Sequence, residues 1–167
     1  MKFLAWIDAI SEKSGRVLSY FFILLTFAVA IDVVMRYFFK SPTAWAFDTA
    51  LHLYSIPFVI GGTWVLKNRM HIRVDIFIDR FPPKVKSIIN LFFYVALLFP
   101  ICIILIKHGI IYAHSSWVAK EVSRFTPLHP PIYPLKTIIP IAFSMLLLQG
   151  IAEFIRELKD LIKGESK

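Results

Sequence analysis

Apolar positions along this chain fall into four long runs, at about 16–39, 45–66, 84–106 and 134–154, with short polar stretches between them. At about 1.5 Å of rise per residue, each run is long enough to cross, or nearly cross, the ~30 Å hydrocarbon layer of a bilayer as a helix. Ahead of the first run, Phe3, Trp6, Ile7 and Ile10 recur at helical spacing among Lys2, Asp8, Glu12 and Lys13. That pattern predicts a short amphipathic helix over 1–15, lying in the headgroup plane or docking a partner, with the first reading preferred. A charged amphipathic tail over 155–167 closes the chain. The predicted fold class is an all-α integral membrane protein: one membrane domain, 1–167, with four transmembrane helices.

Prolines and glycines refine this outline. Pro82-Pro83 opens the third helix, where a missing N–H matters least. Pro57, Pro100 and Pro140 lie inside apolar runs and mark helix bends. Beyond Lys107 the third helix can extend toward Trp117. Pro127, Pro130, Pro131 and Pro134 then exclude helix and predict stiff, extended backbone. Gly61-Gly62 would let another helix approach closely. Lys13 and Arg16 precede an apolar stretch that reaches the small-x-small pattern Ala28-Val29-Ala30, as in a signal peptide. The apolar run continues past that pattern, so the segment is expected to remain as a span.

Composition agrees with a bilayer as solvent. Hydrophobic residues make up 57% of the 167 and charged residues 18%, against about a quarter charged in soluble domains. The net charge of +8 raises nucleic acid as a partner, but the basic residues lie in the gaps between apolar runs and form no face interleaved with stacking aromatics. Of the 19 Lys and Arg, thirteen fall in the N-terminus, the 67–86 region and the tail, and six on the other side. By the positive-inside rule both termini are cytoplasmic. The tryptophans pair accordingly, with Trp6 and Trp64 at one interface and Trp45 and Trp117 at the other. Cys102, the single cysteine, can form no internal disulfide and no thiolate cluster.

Ionisable residues inside the spans are few. Asp32 and Arg36 are four apart near one end of the first span, and Asp48 and His52 four apart near the same end of the second. Charges there must be paired, so one network is expected: Asp32–Arg36, with Asp48 as a second acceptor and His52 as its satellite. A structural clamp is preferred to an ion or proton site, because no acidic residue sits at the mid-depth of any span. Gln149 and Glu153 are expected to bond a neighbouring helix. A membrane haem would need histidines on facing helices, and only His52 lies within an apolar span. No HExxH, GxSxG or Walker loop occurs, so neither enzyme nor cofactor chemistry is read here.

One stretch carries a family resemblance. Trp45, the acidic Asp48 three positions on, an apolar helix with Gly61-Gly62, a basic turn and His71-Ile72-Arg73-Val74-Asp75 together resemble the small, DctQ-type membrane subunit of TRAP transporters. These are the tripartite ATP-independent periplasmic transporters of bacteria and archaea. Arg36-Tyr37-Phe38 at the end of the first span and Pro82 before the third extend the resemblance over essentially the whole chain. Family members often carry two acidic residues after the tryptophan and a basic residue one turn on; here Phe47 and His52 stand instead. The resemblance implies a scaffold subunit in the cytoplasmic (inner) membrane, beside a large multi-span subunit that carries an organic acid and sodium. A periplasmic substrate-binding protein would deliver that acid, with Lys40, Arg124, His129 and Tyr133 as candidate contacts. It implies no catalytic, metal or substrate-binding residue in this chain. Without the resemblance, the alternative is a self-sufficient, homo-oligomeric small transporter, with a haem-binding four-helix protein behind it.

Overall fold

In lipid, backbone N–H and C=O groups find no water, so each apolar run must satisfy its own hydrogen bonds as a helix. The computed structural model of the chain describes residues 2–41, 43–68 and 82–163. His71, Val74 and Asp75 of the family-like motif lie outside the described residues. The described elements are α1 (Lys2–Tyr37), α2 (Ala46–Lys67), α3 (Pro83–Phe93), a π-helical turn (Tyr94–Leu98), α4 (Phe99–Val118) and α5 (Tyr133–Lys163). Four helices are long and apolar enough to cross a membrane, because α3, the π turn and α4 run on as one. Among the described residues there is no strand, only an isolated bridge between Val122 and Pro131.

α1 departs from the expected pattern. It is one helix of 36 residues, about 54 Å long at 1.5 Å per residue. The separate interfacial helix expected over 1–15 is instead the first turns of α1. No proline interrupts this stretch, and three of its polar residues, Asp8, Ser11 and Glu12, find partners on other helices. Ser11 donates to Gln149 of α5 at 2.8 Å, and Lys67 of α2 donates to Glu12 at 2.6 Å. Gly15 lets α2 come close: a Cβ there would stand 2.5 Å from Cδ1 of the Trp64 indole.

α5 holds the bundle together, touching every other helix. Its buried face is made of Pro140, Ala142, Gln149, Gly150, Ala152, Glu153 and Glu157. The π turn answers Pro100, which has no N–H for the carbonyl four residues back, so the helix widens just ahead of it. That segment packs Tyr94 and Phe99 on Phe154 of α5, at ring separations of 6.5 and 5.7 Å. The burial pattern inverts that of a soluble protein. Ala28, Ala113, Ala142, Ala152 and Cys102 are buried, while Phe22, Phe27, Phe58, Phe92 and Ile103 are exposed. Lipid is as apolar as leucine, so burying large side chains gains little, and small residues that let backbones approach hold the helices together.

Candidate functional site

Polar side chains gather at the two ends of this bundle. One end carries the 38–45 and 119–132 connections and is called here the loop end; the other carries the termini. At the loop end, Asp48 lies in the first turn of α2, where the helix dipole favours a negative charge. It is 3% exposed. Its carboxylate accepts from Ser123 Oγ at 2.6 Å and from Thr126 Oγ1, both in the 119–132 loop. That loop is more folded than four prolines suggest. Ser123 N–H donates to Pro130 O at 2.8 Å and Ile132 N–H to Glu121 O at 3.1 Å, pairing two short extended arms. His129 Nδ1 donates to the Ser123 carbonyl at 2.8 Å, with His129 itself at a left-handed φ of 44°.

The loop leaves α4 through a Schellman cap. Glu121 N–H reaches back to Ser116 O, and Lys120 N–H to Trp117 O. Lys120 takes the left-handed position (φ 45°) that usually falls to glycine. Ser116 Oγ donates to Glu121 at 2.7 Å, and Lys136 of α5 also bonds this carboxylate. The Lys136 ammonium, and then the Ser116 hydroxyl, hold the Glu121 carboxyl below its usual range. Trp117 Nε1 donates to Thr137 Oγ1 at 2.8 Å, and its ring lies 4.3 Å from that of Tyr133. Outside this frame stand exposed groups: Phe125 against Phe47 at 5.4 Å, with Leu128, Arg124, Lys120 and Lys40.

The single network expected among Asp32, Arg36, Asp48 and His52 is divided by the structure. Asp32 accepts from Arg36 at 2.7 Å and from Thr43 N–H at 3.1 Å, closing the α1–α2 connection. Asp48 turns to the 119–132 loop instead. His52 Nδ1 donates to the backbone carbonyl of Asp48 at 2.7 Å and not to its carboxylate. Hydropathy places Asp32 and Asp48 at similar depth but says nothing of which way each faces around its helix.

A second cluster closes the termini end. Gln149, which accepts from Ser11, gives its amide to Asp8 at 3.2 Å and to Glu153 at 3.3 Å. Arg156 bridges the carboxylates of Asp8 and Glu153. Gln149 and Glu153 were expected to bond a neighbouring helix; Asp8, Ser11 and Arg156 were missed as their partners. The signal was present, since Gln149, Glu153 and Arg156 stand at i, i+4 and i+7 on one face of α5. Among the described residues no group of three or more His, Cys, Asp or Glu could hold a metal ion.

Over residues 17–160 the chain matches the family profile described as the DctQ component of tripartite ATP-independent periplasmic transporters. The chain belongs to the DctQ family. It is also 31% identical over 65 residues to a C4-dicarboxylate TRAP transporter small permease protein, DctQ, of Vibrio cholerae. That match covers 39% of this chain and 27% of the relative's length. DctQ components are membrane transport subunits and not enzymes, and this one is a multi-pass protein of the bacterial inner membrane.

Proposed function

We propose that this DctQ-family chain is the scaffold subunit of a sodium-driven, binding-protein-dependent secondary transporter for an organic acid. It braces the large multi-span subunit while that subunit's transport domain moves, and its loop end helps dock the periplasmic substrate-binding protein. The observation that carries the bracing role is the distribution of ionisable groups. They tie the helices at both ends, through Asp8–Arg156–Glu153 and through Asp32, Asp48 and Glu121. No acidic residue sits at mid-depth in the described spans. A carrier needs a site it can open near the membrane centre; a brace needs helices fixed at both faces.

The loop end faces the periplasm in this reading, supported by the excess of Lys and Arg toward the other end. Of the candidate contacts, Lys40 and Arg124 are exposed and available to an acidic surface. His129 is exposed as well but is held to the Ser123 carbonyl through Nδ1, and Tyr133 packs on Trp117 within the loop frame. The test is uptake by cells expressing the chain alone, the large subunit with the binding protein, and all three. Uptake is expected only with all three; uptake by this chain alone would favour the self-sufficient homo-oligomeric transporter. Arg124→Glu should weaken uptake at low salt while the two membrane subunits still co-purify, and unchanged uptake would remove the loop from the docking surface.

A further inference from the structure

We propose that the groove between α1 and α2 binds one anionic phospholipid, with its phosphate at Arg16 and an acyl chain laid along Gly61-Gly62. The groove has a volume of about 780 Å³ and opens on the outside of the bundle. Leu18 and Phe22 of α1 and Phe58 of α2 wall it, and the two glycines form part of its floor. A Cβ at Gly61 or Gly62 would meet nothing within 4 Å, so α1 does not fill this space. These glycines give α2 a bare stretch of backbone that its own chain leaves uncovered.

Charge at the mouth selects the occupant. Glu12 is bonded by Lys67 at 2.6 Å, and Arg16 reaches the same carboxylate only at 3.4 Å. Among the described residues, two cations share this one anion at the mouth, which leaves a net positive charge on the three. The Arg16 side chain is 75% exposed and its planar fork matches a phosphate. Trp64 lines the groove at the same level, as an indole does at the edge of the hydrocarbon layer. A cation beside an interfacial indole, followed by an apolar trough running inward, has the layout of a phosphate headgroup and its chain.

The test is native mass spectrometry of the purified chain in mild detergent with equal amounts of phosphatidylglycerol and phosphatidylcholine. Wild type should retain one phosphatidylglycerol, preferred roughly fivefold, the discrimination one basic side chain gives at an anionic lipid surface. Arg16→Gln should abolish the preference, while Lys13→Gln, the same charge loss outside the groove, should leave it. Gly61→Leu should remove retention of both lipids with helicity intact, since it places a good helix former in open space. Equal retention of the two lipids by wild type, or undiminished retention by Gly61→Leu, would overturn the proposal. So would a Gly61→Leu chain that keeps its lipid but no longer co-purifies with the large subunit, because the groove would then seat a helix.

Discussion

The two ends of this bundle are held by different chemistry. At the termini end a guanidinium lies between two carboxylates, joining residues 148 positions apart in the chain, and the Arg156 side chain is 28% exposed. At the loop end a buried carboxylate is held by two hydroxyls, Ser123 and Thr126, while the ion pairs of that end, Asp32–Arg36 and Glu121–Lys136, each keep one partner 41% or more exposed. An ionic junction with a buried member is costly to break, because removing the shared cation leaves two carboxylates close together, one of them, Glu153, buried. A hydroxyl latch is weaker and local. One end therefore fixes how the helices pack, and the other fixes how a loop is presented.

The largest expected effect follows at the termini end. Arg156→Ala leaves Asp8 and Glu153 facing each other without their shared cation and should destabilise the chain by about 3–5 kcal/mol. Thermal unfolding in detergent measures this, and a loss below about 1 kcal/mol would erase the distinction between the ends. Asp48→Ala is the loop-end counterpart. It strands two buried hydroxyls, at about 1–3 kcal/mol, and should release the loop without melting helices. Trypsin should then cut at Lys120 or Arg124 far faster, with helical circular dichroism unchanged. A fall in helicity would mean that Asp48 secures α2 itself.

Two smaller effects sharpen the contrast. Lys120 occupies a left-handed position where a side chain costs about 1 kcal/mol. Lys120→Gly should recover most of that, raising the unfolding temperature slightly in the same thermal measurement, and an unchanged or lower temperature would show that the position carries no strain. Arg36→Ala should matter least, under about 1 kcal/mol. Arg36 is 58% exposed, and Asp32 keeps its bonds to Thr43. A loss as large as that of Arg156→Ala would show the two ends to be equally ionic.

Much of the fold was legible because lipid forces apolar runs into helices, so four runs became four spans. The spacing of charges along each run was legible too, since the ionisable residues stand near the run ends. Azimuth was not. Asp48 turns toward Ser123 and Thr126, 75 and 78 positions on, because the loop after α4 folds back over the first turn of α2. No local spacing announces such a return. The charges at Asp8, Glu12 and Lys13 read as the polar face of a surface helix, when Asp8 and Glu12 are the contacts that hold a continuous α1 to its neighbours. A polar residue near the end of a span marks a partner, and only the packing says which.

The central claim is that this chain acts as a fixed brace, and it can be tested by locking the bundle. Ser11 and Gln149, in direct contact between α1 and α5, can be replaced together by cysteines and joined with a short bifunctional reagent. Uptake by the complete transporter in proteoliposomes is then measured before and after cross-linking. A brace predicts uptake close to that of the uncross-linked double variant. Uptake abolished by the cross-link and restored by cleaving it would show that these helices move during transport, and would contradict the account.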